Sequence, residues 1–138
     1  MISFSIPGTP IAKGRAKVTT IGGHARMYTP TKTLNYESKV ALFAKQAMGD
    51  RNLFDGPVAL DLTLYMAVPA SWSKKKRDMA LAGAVIPTTK PDCSNVLKAV
   101  EDGMNGVVYL DDKQIADLRV SKRYCERPSV VVTVGAPS

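Results

Sequence analysis

KPDCSNVLKAVEDGMNGVVYLDDKQIAD, residues 90–117, holds half of the acidic side chains of an otherwise basic protein. Its three lysines stand against six acids (Asp92, Glu101, Asp102, Asp111, Asp112 and Asp117), a net of −3, while the sixteen cations and six acids elsewhere leave +10. A concentration of carboxylates suits a divalent cation, and a basic surround attracts a polyanion.

The stretch has internal order. Pro91 disfavours a helical Lys90, so the chain enters extended. Asp92, Ser94 and Asn95 are capping types, which predicts a helix over residues 95–104, with Asn105-Gly106 as its stop. Val96, Leu97, Val100 and Met104 then share one side, and Asn95, Lys98, Glu101, Asp102 and Asn105 the other. Val107-Val108-Tyr109-Leu110 predicts a strand running into Asp111-Asp112. A helix start and a strand end would bring Asp92 and one of the later aspartates together as a Mg²⁺ site. Each acid also has a plainer use: Asp92 as a cap, Asp102 as the i, i+4 partner of Lys98, Asp111-Asp112 as turn residues.

Upstream, Val58, Leu60, Leu62, Leu64 and Met66 alternate with less apolar residues, the pattern of a strand with one buried face. Met1 to Pro7 alternates likewise. Residues 18–28 predict a hairpin about Gly22-Gly23, with His24 exposed at its tip. Tyr36, Val40, Phe43, Ala44 and Ala47 mark a helix over 33–48. Between the first strand and the hairpin lies a basic loop, with Lys13, Arg15 and Lys17 placed to meet phosphates and Gly14 to let backbone approach a ligand. A second basic group, Lys74, Lys75, Lys76 and Arg77, belongs to a short helix capped by Ser71 or Ser73, with Trp72 as a packing anchor. Both basic groups also read as plain solvated surface. Downstream, residues 115–124 and 129–135 predict two strands joined as a hairpin at Arg127-Pro128. The whole is one α+β domain, a mixed or largely antiparallel sheet covered by helices.

Composition narrows the function. With 138 residues and 45% hydrophobic content, the chain can build one core. A pI near 9.5 favours a nucleic-acid partner. Cys93 and Cys125 lack metal-ligand spacing and His24 is the sole histidine, which argues against a zinc site. No Walker A loop or GxGxxG run points to a nucleotide cofactor. No apolar run approaches a membrane span, and the first residues do not resemble a signal peptide, so free thiols in the cytoplasm are expected.

The central motif, KPDCSNVLKAVEDGMNGVVYLDDKQI, resembles that of the RusA family of Holliday junction resolvases, close to KPDxDNLxKxxxDxLNGxxxxDDxQI. IPGTPIAKGRAKV, MYTPTKTLNYE and SWSKKKR resemble further family blocks, so the likeness runs from the first strand to about Tyr124. It implies a RusA-like fold and a homodimeric, Mg²⁺-dependent endonuclease, with Mn²⁺ able to stand in, that cuts four-way DNA junctions in recombination and repair. By the same likeness Asp92 and Asp112 match metal-ligand aspartates, with Asp111 beside them. Lys98 matches the catalytic lysine, and Asp102 the acid that follows it. Ser94 stands where the family carries a second ligand aspartate, next to Asn95. That departure leaves an alternative: a junction-binding protein with weakened or lost catalysis. A nuclease for other branched or single-stranded DNA is a third reading. In the resolvase, Lys98 held by Asp102 would stabilise charge on the phosphate, and the two basic groups would hold the DNA backbone. About six phosphate contacts would give a log–log salt slope of roughly −5.

Overall fold

The computed structural model describes residues 1–14, 17–28 and 30–138, with the side chains of 17–19, 21, 24 and 26–28 left aside. Strand β1 (Ile2–Pro7) is followed by the hairpin β2 (Lys17–Ile21) and β3 (His24–Tyr28), helix α1 (Thr31–Met48) and strand β4 (Val58–Ala67). Helices α2 (Lys74–Leu81) and α3 (Cys93–Met104) precede the last strands, β5 (Ile115–Cys125) and β6 (Ser129–Gly135). The four-stranded sheet runs β1-β6-β4-β5, and β2-β3 stands apart as a two-stranded ribbon. This is an α+β fold on a mixed sheet.

Alternation puts the apolar side chains on one sheet face. Ile2 and Ile6 of β1, Val58, Leu60, Leu62 and Leu64 of β4, and Val130, Val132 and Val134 of β6 are all buried. Helices α1 and α3 cover that face with Tyr36, Val40, Ala44 and Met48 from one and Val96, Ala99, Val100 and Met104 from the other. Of the expected stripe on α1, Tyr36, Val40 and Ala44 are buried and Ala47 packs on the core, but Phe43 does not join it. The helix begins at Thr31, directly after Pro30, whose carbonyl accepts from Leu34 N–H at 3.1 Å. Ser73 caps α2 by accepting from Lys76 N–H, and Trp72 packs edge-on against Tyr124 with ring centroids 5.2 Å apart. Cys93 and Cys125 are free thiols. Among the described residues no helix is long and apolar enough to cross a membrane.

Three expectations are corrected. Helix α3 begins at Cys93, with Asp92 at the N-cap position, two residues before the expected start. Residues 107–110 are not a strand. They form a compact turn in which Gly106 N–H donates to Tyr109 O and Val107 and Val108 N–H donate to Met104 O. Isolated bridges join Tyr109 to Phe54 and to Asn105. The apolar run is there because Val108 and Tyr109 are fully buried, and Tyr109 Oη donates to Glu101 O at 3.0 Å. Finally, β5 and β6 do not pair. β4 lies between them, parallel to β5 and antiparallel to β6. The helical segment between β4 and β5 provides the crossover that a parallel pair needs. Stepping over one strand spans roughly 10 Å, which the short link through Pro128 can reach.

Candidate active site

The polar face of α3 looks toward the turn that carries Asp111 and Asp112. Lys98 Nζ sits 3.3 Å from Asp102 Oδ1 and 3.2 Å from Asp112 Oδ2. The i, i+4 pair expected on this helix is therefore present, and it is extended by Asp112. Asp102 holds a second cation: Lys13 Nζ lies 3.0 Å from its Oδ2 and 2.5 Å from Glu37 Oε1. Charges thus alternate from Glu37 on α1 through Lys13, Asp102 and Lys98 to Asp112. The Lys98 side chain is 54% exposed and that of Lys13 only 26%. A phosphate can reach the first ammonium, while the second is enclosed by carboxylates.

The two adjacent aspartates do different work. Asp111 Oδ2 accepts from Lys113 N–H at 2.9 Å and caps the 3₁₀ turn Asp112–Gln114, in a capping box with Gln114. Asp112 points to Lys98 instead. Beside Asp112, burial pushes the Glu101 carboxyl up to about 7, helped by its interaction with the Asp112 carboxyl. At Asp112 burial works upward too, but hydrogen bonds from Lys98 and Glu101 outweigh it and hold the carboxyl below its ordinary value. Lys98 is raised, first by its bond to Asp112. Lys13 is raised as well: burial works against its charge, and the bonds to Glu37 and Asp102 outweigh that cost.

Gln114 fixes the turn. Its Oε1 accepts from Leu110 and Asp111 N–H at 2.9 and 3.0 Å. Its Nε2 donates to Phe54 O and Gly56 O at 2.8 and 2.9 Å. One amide thereby ties the Asp112 turn to the start of β4. Gln114→Ala removes partners from four backbone groups, three of them partly buried, and should cost about 2 kcal/mol. The cleavage activity that the resemblance implies, measured well below the melting temperature, should drop about tenfold, because Asp112 loses its fixed position. A thermal melt read beside the cleavage rate checks both effects.

Asp92 stands at the N-cap of α3 without capping it. Its carboxylate makes no bond to the helix N–H groups and receives Asn95 Nδ2 at 3.4 Å. With Ala12, Lys90, Pro91 and Asn95 it lines a pocket of about 270 Å³. Ser94 is exposed on the first turn of α3. Lys74, Lys75 and Lys76 are exposed on α2, where Lys76 Nζ lies 3.9 Å from the Trp72 ring centroid and Arg77 pairs with Glu126 at 3.9 Å. Arg15 and the side chain of Lys17 lie outside the described residues.

Residues 7–135 match the family model described as Endodeoxyribonuclease RusA. The chain belongs to the RusA endodeoxyribonuclease family. It is also similar to an uncharacterized protein of Bacillus subtilis (strain 168), YqaN, 40% identical over 135 residues, which cover 96% of this chain and 94% of the relative. The RusA family resolves Holliday junctions, and its nucleases are in general divalent-metal dependent.

The residues present fit a cation held by few carboxylates. Among the described residues no three His, Cys, Asp or Glu side chains gather as a ligand cluster, so Asp92, Asp111 and Asp112 do not form one. Asp111 is committed to its cap, and Ser94 supplies no carboxylate. What remains is Asp112, with the Glu101 carboxyl beside it, and Asp92, whose carboxylate makes no bond to the helix N–H groups. Mg²⁺ is commonly held by one or two carboxylates, with water and substrate phosphate completing its octahedron. The sequence reading has Glu101 only as one of the acids on the polar face of α3, and it does not place Glu37 or Gln114 in the site at all. Gln114 lies in the motif itself, and Glu37 in MYTPTKTLNYE, one of the blocks resembling the family, which was the available signal for both.

Proposed function

We propose that the protein is a Mg²⁺-dependent endodeoxyribonuclease that resolves four-way DNA junctions as a homodimer, by paired hydrolysis of opposed strands. The observation that carries this reading is Lys98, half exposed and held between Asp102 and Asp112 within the family motif. Asp92 and Asp112 would hold the cation, with Glu101 beside Asp112. When bound, a divalent cation supplies a Lewis acid for the phosphate and lowers the pKa of a coordinated water. Lys98 donates hydrogen bonds to the non-bridging or leaving oxygen as charge gathers there. Asp102 and Asp112 keep its ammonium in place, so little reorganisation accompanies the reaction. Lys74, Lys75 and Lys76 on α2 supply sequence-independent contacts to the DNA backbone. A two-fold dimer suits a junction because two identical sites address two opposed strands.

Ser94 favours a second reading, a junction-binding protein with weakened or lost catalysis. One experiment separates the two: a synthetic four-way junction with Mg²⁺, tested with the native chain, Asp92→Asn and Ser94→Asp. The first reading expects symmetric cuts by the native chain, lost in Asp92→Asn. Ser94→Asp should then lower the Mg²⁺ concentration for half-maximal cutting about tenfold, since ligand charge sets affinity. Junction binding without cuts, and cuts appearing only in Ser94→Asp, would establish the second. Absence of structure-selective binding at low salt would sink both.

A further inference from the structure

We infer that Lys13 and Glu37 are positioning residues for Lys98, and that Lys13 is not among the cations that hold DNA. The inference deepens the proposed nuclease reading and rests on it wherever a cleavage rate is the readout. Lys13 comes from the N-terminal loop, far in sequence from both of its partners, yet the loop is pinned on two sides. Lys13 N–H donates to Asn95 O at 2.9 Å, which ties it to α3. Gly14 N–H donates to Thr33 Oγ1 at 2.8 Å, which ties it to α1. A Cβ on Gly14 would stand 2.9 Å from both Pro30 Cγ and Thr33 Oγ1, so the close approach this glycine permits is to the protein itself.

The consequence lies in how Asp102 divides its oxygens. Oδ2 takes Lys13 and Oδ1 takes Lys98. With each oxygen assigned one ammonium, the carboxylate plane is fixed, and Lys98 is left shared between Asp102 and Asp112. Without Lys13, Asp102 is free to turn both oxygens toward Lys98 and draw it from Asp112. Glu37 acts one step further out by holding Lys13. The same two carboxylates occupy the Lys13 ammonium and offset its charge, which leaves it poorly placed to bind a phosphate.

The test uses the full chain as Lys13→Met, Lys13→Arg and Glu37→Gln with a four-way junction as probe. Cleavage is measured at saturating DNA, and binding is measured without divalent cation across a salt series. Lys13→Met should lower the saturated cleavage rate about tenfold or more while affinity and salt slope stay native. Lys13→Arg should restore most of the rate, because a guanidinium can bridge two carboxylates. Weaker binding with the slope reduced by about one, at an intact saturated rate, would mark Lys13 as a phosphate contact and overturn the inference. If Lys13→Met does not fold, Glu37→Gln carries the same comparison. A native chain that binds but does not cut would refute the nuclease reading, and NMR of the Lys98 ε-methylene then decides the inference separately. Greater mobility in the variants upholds it, and unchanged mobility overturns it.

Discussion

Asp112→Asn should reduce junction cleavage by about 10³-fold, through lost electrostatic stabilisation together with lost cation binding. Three functions end together in that substitution. The Lys98 ammonium loses a charged acceptor at 3.2 Å and keeps only Asp102. Glu101 loses the neighbouring carboxyl that helps to raise its pKa. In the proposed site, the cation would lose one of its two aspartates. Stability should change little, because exposed and half-exposed ion pairs contribute about 1 kcal/mol or less. Junction affinity should hold or rise slightly, since a negative charge leaves a surface that meets DNA. Single-turnover cleavage beside a gel-shift titration in chelator measures both. A variant that cuts within about tenfold of the native rate would remove Asp112 from the chemistry, since loss of even one preorganised group of this kind costs more.

The parts of this site that were legible in sequence are those written within one element. The Lys98–Asp102 pair follows from helical spacing, and the buried faces of β1, β4 and β6 follow from alternation of Ile, Leu and Val. Contacts made across the fold were not legible. Glu37, Lys13 and Asp102 meet only once α1 and the N-terminal loop pack on α3, and no local pattern signals that meeting. The run Val107-Val108-Tyr109-Leu110 misled because a short apolar run states that residues are buried and not in what conformation. Tyr109 enters the core from a turn, with its hydroxyl on the Glu101 carbonyl. The order β6-β4-β5 misled for a related reason. A short link between two strands suggests a hairpin, but β5 is taken by the edge of β4 that the helical crossover reaches. Asp111 and Asp112 are alike in composition and spacing; the family resemblance singles out Asp112, and the 3₁₀ turn shows why, giving Asp111 to the cap and Asp112 to Lys98.

Gly103→Ala should destabilise the protein by about 2 kcal/mol, although alanine is ordinarily the better helix residue. Replacing a helical glycine typically gains about 1 kcal/mol. Gly103, however, lies where α3 crosses α1. A Cβ there would stand 2.7 Å from Val40 Cβ, 2.8 Å from Val40 Cγ1 and 2.9 Å from Glu37 O. None of these atoms is the tip of a flexible chain, so relief requires the two helices to separate, and overpacking of that kind costs about 1–3 kcal/mol. The net effect is therefore a loss, and Gly103→Val should lose more. Gly56→Ala is the control, because a Cβ at Gly56 meets nothing within 4 Å. Its stability should stay within about 0.5 kcal/mol of native. Denaturant titration of the two variants gives the comparison, and a Gly103→Ala variant as stable as Gly56→Ala would refute the tight crossing. The crossing also bears on the chemistry. Glu37 contributes its carbonyl to the contact with Gly103 and its carboxylate to Lys13, so separating α1 from α3 pulls on the ion chain that ends at Lys98. Gly103→Ala should accordingly cut junctions more slowly even at temperatures where it is fully folded, and Gly56→Ala should not.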